Sequence, residues 1–193
     1  MKLRGLYAIT PAGPDVVEKV RQALEGGIAL LQYRRKEEAS RDEAAALLAL
    51  ARRHRVPFIV NDDIELALAI GADGVHVGRG DGDAAAARRR MHGKLLGVSC
   101  YDRLDLARSA VAAGADYVAF GSVFASPTKP AAVRAPLALF SQVGVPACAI
   151  GGITLANAPQ LIAAGADLLA VISDLFDSRD IARQAAAYGK LFR

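Results

Sequence analysis

One short unit returns along this 193-residue chain and restricts its fold more than any other feature. A helix tail is followed by Gly-Ala-Asp and then by an apolar run that ends at a polar or glycine-containing loop. The unit reads Gly71-Ala72-Asp73-Gly74-Val75-His76-Val77-Gly78, then Gly114-Ala115-Asp116-Tyr117-Val118-Ala119-Phe120-Gly121, then Gly165-Ala166-Asp167-Leu168-Leu169-Ala170-Val171-Ile172. A weaker copy is Gly26-Gly27-Ile28-Ala29-Leu30-Leu31-Gln32-Tyr33. Glycine reaches the left-handed conformation that ends a helix, and the chain then turns straight into a strand. Each interval between strong copies leaves room for two βα units, so the sharp form of the unit belongs to every second one.

The remaining segments complete eight expected strands, near residues 3–10, 29–34, 57–61, 74–78, 95–100, 117–123, 146–151 and 168–173. Most are rich in Val, Ile, Leu and Ala without strict alternation, as in a parallel sheet covered by helices. Helical spacing fills the gaps: Val16, Val20, Ala23 and Leu24; Ala44 through Ala51; Leu104, Ala107 and Val111; Ile181, Ala185 and Tyr188. Pro57 and Pro146 each open a strand where a missing N–H does no harm. Eightfold alternation with short connections predicts a (β/α)8 barrel, with residues 1–193 as one domain. An open doubly wound sheet is the second choice, because no GxGxxG fingerprint opens the first unit.

Composition removes several classes. With 53% hydrophobic and 23% charged residues the chain is neither disordered nor a coiled coil. Cys100 and Cys148 lie in apolar runs without CxxC spacing and read as buried free thiols. No stretch approaches the roughly 18 apolar residues of a membrane span, and the start lacks the pattern of a secretory signal, so a cytoplasmic protein is expected. The net charge of +4 is modest, and the basic runs Arg52-Arg53-His54-Arg55 and Arg88-Arg89-Arg90 fall at helix ends without interleaved aromatics. That argues for solvated helix termini and against a nucleic-acid partner, and it suits an anionic small molecule.

In a barrel the C-terminal strand ends share one pocket, and the unusual polar residues collect there. Gln32-Tyr33-Arg34-Arg35-Lys36 follows the second strand, where alternate residues turn toward phosphate oxygens. Asn61-Asp62-Asp63 follows the third, with at least one member expected as a helix cap. Asp81 follows the fourth; with Asp62 it supplies two carboxylates from adjacent strand ends, a donor set for a hard cation such as Mg2+. His76, inside a strand, reads equally as a bonded core histidine or as an acid or base. Ser99 closes the fifth strand, and Ser126, Thr128 and Lys129 bring two hydroxyls and a cation after the sixth. Gly151-Gly152 and Ile172-Ser173 end the last two strands, where backbone N–H groups form a recurring phosphate seat.

Taken in order, these motifs resemble the thiamine phosphate synthase family over nearly the whole chain. The resemblance rests on Gly5-Leu6-Tyr7-Ala8-Ile9-Thr10, Gln32 to Lys36, Asn61-Asp62, His76-Val77-Gly78 with Asp81, Ser99, Ser126 to Lys129, Ile150-Gly151-Gly152-Ile153 and Ile172-Ser173. It implies a Mg2+-dependent transferase that joins hydroxymethylpyrimidine diphosphate to hydroxyethylthiazole phosphate, or to a carboxylated form of it, by a dissociative mechanism. By that resemblance Gln32, Arg34, Lys36, Asn61, Ser99 and Lys129 hold the pyrimidine diphosphate, with Tyr33 and Arg35 in the same wall. Asp62 and Asp81 hold the metal, while Ser126 and Thr128 lie toward the thiazole phosphate and Gly152, Ile172 and Ser173 receive its phosphate. Arg34, Lys36, Ser99 and Lys129 are the residues expected to act in catalysis.

Two departures stand out. The family's Gly-Pro-(Ile/Val)-Phe-Pro-Thr-x-Thr-Lys loop is here Gly121-Ser122-Val123-Phe124-Ala125-Ser126-Pro127-Thr128-Lys129, and Arg79 replaces a frequent Gln. A thiazole tautomerase of the same superfamily would not need the complete diphosphate-and-metal set. A non-catalytic phosphate binder predicts saturable binding without turnover. The sequence is equally compatible with a monomer and with a homo-oligomer formed through an outer helical face.

Overall fold

The computed structural model describes residues 3–35, 39–78, 83–125 and 133–193. Eight parallel strands, β1 (Gly5–Ile9), β2 (Leu30–Tyr33), β3 (Phe58–Asn61), β4 (Gly74–Val77), β5 (Leu95–Tyr101), β6 (Tyr117–Phe120), β7 (Ala147–Ile150) and β8 (Leu168–Val171), close in sequence order into a barrel. The helices are α1 (Val16–Gly26), α2 (Arg41–Arg53), α3 (Ile64–Ile70), α4 (Ala84–Arg90), α5 (Leu104–Ala112), α6 (Ala158–Ala163), α7 (Ser173–Phe176) and α8 (Ile181–Lys190). The (β/α)8 expectation holds, with local differences. A 3-10 helix, Leu137–Ser141, stands between β6 and β7 where an α-helix is usual. β5 runs past Ser99 to Tyr101, whereas β8 ends before Ile172, which instead caps α7. Among the described residues no helix is long and apolar enough to cross a membrane.

The repeated unit has a tertiary reason as well as a local one. Gly27, Gly71, Gly114 and Gly165 have φ of 90°, 70°, 91° and 105°, the left-handed turn expected of them. The aspartates then clasp the preceding strand. Oδ2 of Asp73, Asp116 and Asp167 accepts the N–H of Phe58, Leu96 and Ala147 at 2.9, 2.7 and 3.2 Å. Each aspartate also donates its own N–H to the carbonyl of that same residue. The units opening β4, β6 and β8 therefore lock the beginnings of β3, β5 and β7. The weaker copy has Ala29 at the aspartate position and makes only the backbone half of the clasp, to the Leu6 carbonyl.

Arg88 reinforces one clasp from α4. It binds Asp116 at 2.9 Å and donates to the carbonyls of Gly114, Met91 and Lys94. The basic run at 88–90 is thus a helix end as expected, but its first member is a structural bolt and not a solvated charge. Asp116→Ala strands the buried Leu96 N–H, so we expect a loss of about 1–3 kcal/mol. In urea unfolding this lowers the midpoint at constant slope; an unchanged midpoint would contradict the clasp.

Alternation along the strands divides the core in two. Leu6, Leu31, Phe58, Val75, Leu96, Val118, Ala147 and Leu169 face the helices. Tyr7, Ile9, Leu30, Ile59, Tyr117, Ala119, Cys148, Leu168 and Ala170 fill the lumen as a separate cluster. Every strand is therefore buried on both faces, which is why its sequence lacks polar alternation. Each strand's first lumen residues are packed, so polar groups facing inward emerge at its C-terminal end. α8 packs on α1 at the seam between the first and last units, and a Cβ on Gly26 would stand 2.3 Å from the Ala182 carbonyl oxygen.

Candidate active site

The end of β2 sets the direction of the cationic segment. Gln32 is buried in the lumen, 3% exposed, whereas Tyr33 belongs to the helix-facing core. Thr10, buried at the end of β1, accepts the Arg34 N–H at 2.9 Å and donates to the Arg34 carbonyl at 3.1 Å. This fixes the backbone one step beyond the strand, and the alternation of an extended chain puts Arg34 on the same side as Gln32, two residues earlier. Arg34 is half-buried as a residue, and its guanidinium has no hydrogen bond or ion pair among the described residues. Arg35 lies on the other side and is committed: it forks onto Glu43, with Nε to Oε1 at 2.7 Å, reaches the Pro11 carbonyl and lies over the Tyr33 ring. That fork holds the Glu43 carboxyl below the usual carboxylate range. Tyr33 bonds to the backbone of Ser40 through its hydroxyl. The segment is thus divided: Gln32 belongs to the lumen and Arg34 follows it by alternation, whereas Tyr33 and Arg35 lie on the other side, where they also line the cavity at the end of β3.

At the end of β3 the three polar residues separate by role. Asp63 is the helix cap, accepting the Leu66 N–H at 2.8 Å. Asp62 stays exposed at the rim with φ 63°, a left-handed conformation uncommon outside glycine, and accepts Asn61 Nδ2–H at 2.6 Å. Its N–H donates to the His76 carbonyl, which ties this corner to β4. Tyr33, Arg35, Asn61 and Asp62 line a common cavity of about 350 Å³. Asn61 and Asp62 together offer hard oxygen donors, and Mg2+ binds through one or two carboxylates while keeping waters. The residues present fit that ion, although no group of three or more His, Cys, Asp or Glu side chains suited to a metal occurs among the described residues.

The lumen holds a chain of polar contacts that crosses five strands. Gln32 Nε2 donates to Tyr7 Oη at 2.6 Å, and Tyr7 Oη meets Tyr117 Oη at 2.7 Å. Tyr117 Oη meets His76 Nδ1 at 3.1 Å, and His76 Nε2 meets Ser99 Oγ at 2.9 Å. Burial pushes both tyrosine hydroxyls far up, so they remain protonated donors. Gly97 makes room for the chain, since a Cβ there would lie 2.1 Å from Tyr117 Cζ and 2.5 Å from His76 Nδ1. His76 is therefore a bonded lumen histidine. Gln32, His76 and Ser99 stand out in the sequence as polar residues of the strands, whereas Tyr7 and Tyr117 lie within apolar runs; Gly97 within an apolar strand is the sequence signal for a large neighbour.

The opposite half of the rim is formed by the ends of β7 and β8. Gly151 and Gly152 have φ of 106° and 64°. A Cβ on Gly152 would stand 2.5 Å from the Ala125 carbonyl oxygen. Asn157 pins the Gly152 carbonyl at 2.9 Å and receives the Thr154 N–H at 2.8 Å. Ile172 caps α7 and touches the lumen cluster, and Ser173 is exposed at the first turn. Asp174 anchors α7 from the side, accepting Tyr188 Oη–H at 2.6 Å and Gln184 Nε2–H at 2.8 Å.

Lys36, Arg79, Asp81, Ser126, Pro127, Thr128 and Lys129 lie outside the described residues. Cys100 and Cys148 are free and buried as expected, and burial pushes the Cys100 thiol up to about 12. Neither thiol is suited to act as a nucleophile.

Comparison with known proteins places this geometry. A family model described as thiamine monophosphate synthase matches residues 6–175. The thiamine-phosphate synthase of Aromatoleum aromaticum is 57% identical, with 99% of this chain and 97% of that protein aligned. That of Chromobacterium violaceum is 53% identical over the same shares, 99% and 97%. Among solved structures, a thiamine phosphate pyrophosphorylase from Pyrococcus furiosus superposes with a TM-score of 0.89 at 34% identity, covering 98% of this chain and 96% of that one. A 3-hexulose-6-phosphate synthase superposes with a TM-score of 0.74 at 18% identity, covering 98% and 100%, and shares the fold.

Proposed function

This chain belongs to the thiamine monophosphate synthase family, and from that premise we propose that it joins hydroxymethylpyrimidine diphosphate to hydroxyethylthiazole phosphate, giving thiamine phosphate and diphosphate. It is an enzyme of thiamine biosynthesis and a transferase. The whole chain, residues 1–193, acts in this reading as one barrel, and neither a nucleic acid nor a membrane is needed as partner. A carboxylated thiazole phosphate is a second acceptor to try in the same assay.

In the proposed reaction the C–O bond between the pyrimidine methylene and diphosphate breaks first. The electron pair leaves with diphosphate, and the ring amino group stabilises the methylene cation. The thiazole nitrogen lone pair then forms the new C–N bond, so no protein nucleophile takes part. Negative charge grows on the departing diphosphate, and preorganised cations offset it. In this reading Arg34 takes that role, with Lys36 and Lys129 assigned to it by the family resemblance. Gln32, Asn61 and Ser99 hold the pyrimidine portion, while Tyr33 and Arg35 stiffen the segment from behind. Asp62 and Asp81 would hold Mg2+, which when bound supplies further positive charge against the diphosphate oxygens. By the family resemblance Ser126 and Thr128 are assigned to the thiazole phosphate, and Gly152, after β7, with Ile172 and Ser173, at the start of α7, would seat its phosphate through backbone N–H groups. Holding the two rings together contributes the rest through proximity.

The observation that carries this reading is the contrast between two adjacent arginines. Arg35 is neutralised by Glu43, whereas the half-buried Arg34 on the lumen side has no described protein partner. A partly desolvated cation at the active rim is a place for an anion. Incubation with both substrates, with Mg2+ and with chelator, tests the reading. It predicts equal amounts of thiamine phosphate and diphosphate, formed only with the metal; binding of thiazole phosphate without turnover would refute it.

A further inference from the structure

The polar chain across the lumen has a direction. Gln32 Nε2–H donates to Tyr7 Oη, and Tyr7 has a single hydroxyl hydrogen whose other partner among the described residues is Tyr117. Tyr7 therefore donates to Tyr117, Tyr117 donates to His76 Nδ1, and the ring proton sits on Nε2, donated to Ser99 Oγ. Two groups are left at the ends. Ser99 keeps its own hydroxyl hydrogen, with no described acceptor, on a half-buried side chain at the mouth of β5. Gln32 keeps its carbonyl oxygen; because no fully buried side-chain atom lacks a partner among the described residues, that oxygen is open to the mouth. The chain thus presents one acceptor and one donor to the pocket, the pattern that an aminopyrimidine ring complements with an amino hydrogen and a ring nitrogen.

We propose that Tyr117, with Tyr7 and His76, is a positioning residue for the pyrimidine substrate: the lumen chain fixes the acceptor sense of Gln32 and the donor sense of Ser99. The proposal rests on the functional reading above. Without the chain, the Ser99 hydroxyl and the Gln32 amide rotate between donor and acceptor settings, and half of these oppose the ring. A satisfied buried network of this kind specifies one arrangement because every alternative strands a hydroxyl in the lumen. Tyr117 is its midpoint, fully buried and far from the rim, so it acts only through its neighbours.

The test is a kinetic double-mutant cycle of Tyr117→Phe and Ser99→Ala. Tyr117→Phe is expected to raise KM for the pyrimidine diphosphate about tenfold, the scale of one misdirected hydrogen bond. KM for the thiazole phosphate should not move. In the Ser99→Ala background the same change should cost less, about threefold, because only the Gln32 arm is left to misdirect and coupled residues are not additive. Additive effects, or both KM values rising together with a lower unfolding midpoint, would overturn the positioning role and leave a structural one. Should Tyr117→Phe fail to fold, Tyr7→Phe breaks the chain one link earlier and must show the same rise for the pyrimidine substrate alone. Wild-type protein run alongside separates the two possible failures. No product from it overturns the functional reading, whereas product from it with unchanged constants for Tyr117→Phe overturns this proposal alone.

Discussion

Asp62→Asn lowers the rate of thiamine phosphate formation by about 10²–10³-fold at saturating Mg2+ and leaves the fold intact. The conservative change is chosen for the backbone. Asp62 sits at φ 63°, where most residues are strained but Asn is tolerated nearly as well as Asp. An amide oxygen also continues to accept Asn61 Nδ2–H, the contact made at 2.6 Å in the wild type. What disappears is one negative charge at the rim, the charge proposed to hold Mg2+ against the diphosphate. Unfolding free energies of the two proteins should agree within about 0.5 kcal/mol, as for a surface change without strain. A variant with wild-type turnover would remove Asp62 from the metal site.

Gly152→Ala destabilises the protein by about 2–4 kcal/mol and raises KM for thiazole phosphate at least tenfold. Two costs add. The φ of 64° penalises any side chain, and the new Cβ would meet the Ala125 carbonyl oxygen at 2.5 Å and Phe124 Cβ at 3.0 Å. The backbone after β6 must then retreat from the end of β7. Both segments border the proposed phosphate seat, so the loss of stability is coupled to a loss of phosphate binding. Thermal unfolding and the KM of each substrate read these separately. A folded variant with unchanged midpoint and unchanged KM would contradict the tight packing seen at this corner.

Much of this architecture was legible in the sequence because its causes are local. The glycines of the repeated unit sit in the left-handed turns that their position after each helix predicted, and Pro57 and Pro146 precede β3 and β7 as expected. Asp63 caps α3, one of the three polar residues expected to include a cap. What escaped was tertiary. The aspartate of the unit pairs with a strand residue 15 or 20 positions earlier in the chain, Asp116 with Leu96 among them, and nothing local announces that partner. The 3-10 helix before β7 replaces a helix that short apolar spacing alone does not distinguish.

The site divides along the same line. Alternation after β2 separated Arg34 from Arg35 in principle, but only Glu43, on α2, shows which arginine is already spoken for. Tyr7 and Tyr117 looked like core residues and are core residues; their hydroxyls matter because barrel closure sets β1, β4, β5 and β6 around one lumen. A polar chain formed by closure leaves no periodic trace in any single strand.

The central claim is that one rim binds two substrates in opposite halves, and separate titrations test it most directly. Wild type, Asp62→Asn and Gly152→Ala would each be titrated calorimetrically with pyrimidine diphosphate in the presence of Mg2+, and independently with thiazole phosphate. Asp62→Asn should weaken only the pyrimidine diphosphate, and Gly152→Ala only the thiazole phosphate. If each variant weakens both ligands alike, or if the pattern is reversed, the two halves assigned to this rim are wrong.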